Sequence, residues 1–313
     1  MPDVVHNRVT RGRRDMDTHD VAGNAGIRIE VSPLGAQLMS LKVGDGEFLW
    51  QGDGRWWPRR APVLFPIVGN IRDGQAESAQ GRISLGRHGL ARNHTFALER
   101  RDGASLSYVL SSSKETRRQY PYDFDLRVSY SVVEGGVRQE FLVTNTGDET
   151  LPYVVGGHPA FNVPAPGPEA SAANEDFSQY RLEFSRPWTY ATPSIDTRSG
   201  LLDFDNRIDL LDASDTLPLS HQLFSIDTLV FEDVPDRTVR LVGPRGHGMR
   251  VDFEGFDYLG VWSAAGGAPF VALEPWTGCA TALDEDDVFE RKRGMSLLAP
   301  GQTQAHAFVM RPL

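Results

Sequence analysis

The sequence predicts an all-β protein, a large antiparallel β-sandwich, and three observations carry that reading. Short segments alternate apolar and polar residues with period two, as half-buried strands do. Turn-forming residues, 31 Gly and 20 Pro in 313 residues, punctuate those segments closely. No stretch keeps an apolar period near 3.6 long enough for a substantial helix.

In chain order, the alternation places strands at 27–31, 37–43 and 47–50, then at 105–110, 126–132, 137–144 and 151–155. Further strands are expected at 180–184, 228–231, 238–242, 249–253, 259–263, 270–273 and 304–310. Short helices are expected only around 112–119 and 280–288. The segments 165–176 and 192–219 read as loop-like insertions. Successive strands without intervening helices make antiparallel meanders rather than strand–helix–strand units. Composition does not break along the chain and nothing repeats, so 23–313 is expected to be one domain. Residues 1–22 are polar and aperiodic, with Arg8, Arg11, Arg13 and Arg14 but no apolar stretch after them, and read as a flexible extension without a secretion signal.

Composition narrows the function. The formal charge of -10 opposes a nucleic-acid partner, which needs a concentrated basic face. No apolar run reaches membrane-spanning length. The single cysteine, Cys279, rules out an intrachain disulfide and a cysteine zinc cluster. That agrees with a reducing compartment, so a cytoplasmic monomer or homodimer acting on a small molecule is expected.

Chemistry concentrates where strands stop. In Val154-Val155-Gly156-Gly157-His158-Pro159 an apolar run ends at two glycines that clear space beside an imidazole, and Pro159 then interrupts pairing. Phe270-Val271-Ala272-Leu273-Glu274-Pro275-Trp276 repeats the device with a carboxylate. After so apolar a run Glu274 is expected to be desolvated, which raises its pKa and suits it to accept a proton. A histidine that moves protons needs such an opposite group. Trp276 offers a flat face to a sugar or to the core. Asp227, at the start of 228–231, either caps a turn or holds a ligand.

Two earlier loops carry donors. Residues 61–74 hold two prolines, which exclude a central strand, and then present Asn70 and Arg72. Residues 86–94 set His88 between Arg87 and Arg92. By contrast, the run Asp284-Glu285-Asp286-Asp287 reads as a solvated acidic turn, without the spacing of a calcium loop.

Five segments taken in order resemble the aldose 1-epimerases (mutarotases), in particular bacterial epimerase-like proteins associated with sugar operons. They are Pro62-Val63-Leu64-Phe65-Pro66-Ile67-Val68-Gly69-Asn70, Arg87-His88-Gly89-Leu90-Ala91-Arg92, Gly156-Gly157-His158-Pro159-Ala160-Phe161-Asn162, Asp227-Thr228-Leu229-Val230-Phe231 and Leu273-Glu274-Pro275-Trp276. The resemblance implies a galactose-mutarotase-like supersandwich with an open sugar cleft on one sheet. It implies His158 as general acid and Glu274 as general base, with Arg72, His88 and Asp227 at sugar-binding positions and Arg92 as the rival to Arg72. It also implies exchange of a hexose's α and β anomers by ring opening, without a metal or cofactor. Two other readings stay open. One is a hexose 6-phosphate epimerase in which Arg72, Arg87 or Arg92 grips the phosphate; the other is a carbohydrate-binding protein without turnover. A glycosidase needs two facing carboxylates, and only Glu274 is well presented.

Overall fold

The chain is described in a computed structural model over residues 20–24, 26–167 and 174–313. Its secondary structure is strands joined by turns and short 3-10 segments, and no α-helix occurs among the described residues. Nor is any helix there long and apolar enough to cross a membrane.

The largest sheet has nine antiparallel strands. Its order begins Leu201–Pro218, Arg181–Asp196, Thr238–Val242, Gly248–Asp252 and Thr303–Pro312. It continues through Gly136–Asn145, Phe124–Val133 and Ser105–Ser111 to Ala97–Arg101. A second sheet runs Leu229–Glu232, Tyr258–Trp262, Phe270–Trp276, Gly156–Gly157 and Val63–Leu64, with Ala160–Asn162 also pairing with Phe270–Trp276. A third, Asp20–Asn24, Ile27–Ser32, Gln37–Val43 and Gly46–Glu47, closes one flank. One apolar cluster joins all three: Ile29 and Leu38 from the third sheet, Tyr108, Leu126 and Phe141 from the first, and Leu259, Val271 and Leu273 from the second. That shared core makes the molecule the layered sandwich its alternation predicts.

Several local expectations need correcting. The segment 192–219 is no loop: it belongs to a long hairpin, Arg181–Asp196 with Leu201–Pro218. Its register shifts and many exposed polar residues hide the period-two signal, because only part of each strand has a face to bury. The helix expected at 280–288 is absent; those residues are turns and isolated bridges, followed by a 3-10 turn at Phe289–Arg291. The one expected at 112–119 reduces to the 3-10 turn Thr116–Arg118. Asp20–Asn24 forms a strand that takes in the last residues assigned to the N-terminal extension, while 1–19 lie outside the described residues. The expected loop 165–176 is described only in part.

The middle of the second sheet depends on close backbone approach. Gly260 pairs with Glu274 across the ladder, and the Trp276 indole lies over it. A Cβ built on Gly260 would stand 2.2 Å from Trp276 Cζ2, and one on Gly156 would stand 2.7 Å from Cδ1. The two glycines therefore form the bed on which the indole rests. Gly260→Ala is expected to cost about 1–3 kcal/mol of stability through overpacking, measured by urea unfolding. An unchanged midpoint would mean that Trp276 has room to move.

Candidate active site

Period two decides which side chains reach the cleft. Along Phe270–Trp276, Val271 and Leu273 enter the main core, while Phe270 and Ala272 join a separate aromatic cluster with Trp50. Glu274 and Trp276 share that second face. In the next strand Leu259 and Val261 point to the core, and Gly260 and Trp262 to the cleft side. On the other side of Phe270–Trp276, the short strand Gly156–Gly157 ends just before His158. The two motifs thus bring an imidazole and a carboxylate to one surface, but Glu274 is not at a strand end as expected: its strand runs on through Pro275 to Trp276, paired with Leu259 and Tyr258. Above the imidazole and the carboxylate opens a cavity of about 210 Å³.

His158 Nε2 lies 3.3 Å from Glu274 Oε1, and the two side chains are only 7% and 2% exposed. Burial removes water from both ionisable groups, and each is pushed toward its neutral form. The His158 pKa falls to about 3, chiefly by burial, with Arg92, Arg87 and Arg59 adding repulsion. Glu274 is pushed well above the usual carboxylate range, first by burial and then by the Asp227 charge, while the Trp276 indole and Arg87 oppose the rise. A neutral acid beside a neutral imidazole holds the same number of protons as a carboxylate beside an imidazolium. Moving one proton along the contact converts one state into the other.

His88 stands edge-on to His158, with ring centroids 5.6 Å apart. The Gly69 N–H donates to His88 Nδ1 at 3.1 Å, so the ring proton sits on Nε2. Burial, followed by the nearby His158 and arginines, drives the His88 pKa well below its ordinary value. His88 is therefore a neutral hydrogen-bond donor. Its φ of 64° and the 78° of Asp227 lie in the left-handed region, a strain that non-glycine residues carry mainly where structure holds them for a purpose. Asp227 accepts from Thr228 Oγ1 at 3.0 Å and faces Arg87 Nη2 at 3.5 Å. Arg92 lines the same cavity and forms no ion pair among the described residues, and its Nε is buried without a hydrogen-bond partner. Burial lowers its pKa to about 10, helped by Arg59 and Arg87.

The structure therefore brings together His158, Glu274, His88, Asp227, Arg92 and Trp276. Arg72 is elsewhere, which corrects its expected place in the cleft. Its Nε meets Asp287 Oδ1 at 3.0 Å and its Nη2 donates to the Glu285 carbonyl at 3.0 Å. Ile71 is buried, so its neighbours Asn70 and Arg72 diverge, and the acidic turn captures the guanidinium. That turn is accordingly not merely solvated: Arg72, Arg291, Lys292 and Arg293 pair with its four carboxylates. Asn70 reaches the hairpin tip, donating to the Ser199 carbonyl at 3.4 Å, and lines a neighbouring hollow rather than this cleft.

Sequence reasoning missed Trp57 and Trp262, which flank His158, and the wall formed by Ile195, Gly200 and Leu202. The wall belongs to the hairpin read as a loop. For Trp57 a signal existed in Trp56-Trp57-Pro58-Arg59-Arg60, two indoles beside two guanidiniums in a segment without strand period.

Comparison with known proteins bears on the family and the fold. The sequence profile of a family described as "Aldose 1-epimerase" matches residues 18–306. Protein LacX of Lactococcus lactis subsp. lactis is 36% identical over 293 residues, spanning 91% of this chain and 96% of LacX. Among solved structures, a galactose mutarotase related enzyme from Lactobacillus acidophilus superposes with a TM-score of 0.85 at 31% identity, covering 95% of this chain and 97% of its own. A galactose mutarotase-like protein from Lactobacillus casei superposes with a TM-score of 0.84 at 25% identity, covering 95% and 100%.

Proposed function

The chain belongs to the aldose 1-epimerase family, isomerases acting on small-molecule sugars, and from that premise we propose that it exchanges the α and β anomers of a hexose through ring opening by His158 and Glu274. The observation that carries this is the buried contact between His158 Nε2 and Glu274 Oε1, 3.3 Å long, at the floor of a cleft lined with hydrogen-bond donors. With the shared proton on His158, the carboxylate of Glu274 removes the proton from the C1 hydroxyl. His158 gives its proton to the ring oxygen, the C1–O5 bond breaks, and the C1–O1 bond becomes the aldehyde carbonyl. Rotation about C1–C2 presents the other carbonyl face. Closure runs the transfers in reverse, so electrons and protons balance without a further reactant. His88 Nε2–H, Asp227 and Arg92 hold the sugar's hydroxyls, and Trp276 lies beneath its apolar face.

The protonation pattern predicts an unusual pH profile. The working pair holds one proton, and it leaves that state only by gaining a second on His158, whose pKa is about 3, or by losing the one it has. With Glu274 raised, that loss falls above the ordinary carboxylate range. The blank-corrected kcat/KM for anomer exchange is therefore expected to hold its level through the ordinary carboxylate range, with its acid limb near 3, where His158 gains the second proton, and none near the ordinary glutamate value of about 4.3. An acid limb with its midpoint at the ordinary carboxylate value would contradict the buried pair.

One observation favours a second reading of the substrate. Arg87 is matched by Asp227, but Arg92 meets no carboxylate among the described residues, leaving positive charge on the cleft wall of an acidic protein. A phosphate on the hexose would satisfy it through paired hydrogen bonds. Two-dimensional exchange NMR on glucose and galactose beside their 6-phosphates separates the two: faster turnover of the phosphorylated sugars, lost in Arg92→Gln, selects the phosphohexose.

A further inference from the structure

We infer that Trp57 is a positioning residue for the His158 imidazole, its indole face fixing the ring plane from which Nε2 transfers a proton. This rests on reading His158 as the acid of the reaction.

A histidine that transfers protons usually has its ring set by a hydrogen bond at the second nitrogen. Here His158 Nδ1 is buried and, among the described residues, meets no other residue's hydrogen-bonding group, its contact being with its own backbone. The Glu274 contact at Nε2 holds one end of the ring but leaves the tilt of its plane open. The ring lies against Trp57, with centroids 4.7 Å apart and planes inclined by 23°. His88 and Trp262 meet it only edge-on, at 5.6 and 5.8 Å. Among the described residues, Trp57 is thus the one aromatic partner whose face matches that of the imidazole.

The indole is itself fixed independently of His158. Trp56 and Trp57 both donate their backbone N–H to the Asp53 carbonyl at 3.0 Å, closing a tight turn. The Trp57 carbonyl accepts from Trp50 Nε1 at 2.9 Å. Its ring stacks on Phe270 at 5.8 Å and meets the edge of Trp262 at 5.4 Å. When His158 carries the proton, the same face attracts the imidazolium through its quadrupole. Orientation and charge stabilisation then come from one contact. One face of Trp57 being taken by His158, a share in sugar stacking is left to Trp276.

Trp57→Leu and Trp57→Phe distinguish this from a packing role. In Trp57→Leu, kcat for anomer exchange is expected to fall roughly tenfold to a hundredfold, the cost of misplacing a reacting group, while KM stays within about twofold. Phe, which keeps a smaller face, is expected to restore most of the rate. The His158 ring protons, assigned by their absence in His158→Gln, are expected to move downfield in Trp57→Leu as they leave the indole ring current. An unchanged kcat, or a loss confined to KM, would overturn the proposal. If the wild type catalyses no anomer exchange, the acid reading fails separately; the ring shift still decides the positioning, and an unmoved His158 resonance in Trp57→Leu overturns it.

Discussion

Replacing Glu274 with glutamine is expected to lower kcat for anomer exchange by about two to four orders of magnitude, the usual contribution of a positioned base. The amide keeps the size of the side chain and cannot accept the C1 hydroxyl proton. Sugar binding should persist, since His88, Asp227 and Arg92 are untouched. Stability supplies a second readout with a definite sign. Because the folded-state pKa of Glu274 is raised, the folded protein holds a proton that the unfolded chain releases once pH exceeds the ordinary carboxylate value. Stability contributed by the wild-type side chain therefore falls as pH rises from that value toward the raised one. Glutamine has nothing to release, so the variant should gain relative to wild type across that window. A variant that loses stability at every pH would indicate a glutamate held as a structural ion.

His158→Gln is expected to lose as much rate as Glu274→Gln, and the double variant little more than either. In the proposed mechanism acid and base act in one exchange, so removing either disables the pair, and the effects of residues acting as a unit do not add. The 3.3 Å contact places both inside the distance at which coupling is expected. Fully additive losses would mean that the two side chains serve different steps.

Period two and strand-end punctuation made the site largely legible. His158 and Glu274 could be read because each follows an apolar run and precedes a proline, although Pro275 does not end pairing and the strand continues to Trp276 opposite Tyr258. Gly156 and Gly157 marked the same place by removing bulk. The sheets followed from alternation wherever one face is apolar, as in Gly136–Asn145. Where a strand has little to bury the signal fails, and the hairpin of Arg181–Asp196 and Leu201–Pro218 was read as a loop although Ile195 and Leu202 line the cleft. Arg72 failed for a different reason. A guanidinium in a turn is drawn to whichever carboxylates the tertiary structure brings near, and Asp287 is 215 residues away in sequence. Trp57 is instructive because its proposed role rests on a stacking contact with His158, about a hundred residues on in the chain, which no local pattern announces.

The central claim is that the buried His158–Glu274 pair opens the sugar ring. Its most direct test is the decay of optical rotation of freshly dissolved α-glucose and α-galactose, with wild type beside His158→Gln and Glu274→Gln, all shown folded by thermal melting. The account predicts faster decay with wild type and decay at the uncatalysed rate with either variant. Equal acceleration by wild type and both variants would contradict it, because the ring would then be opened by groups other than this pair.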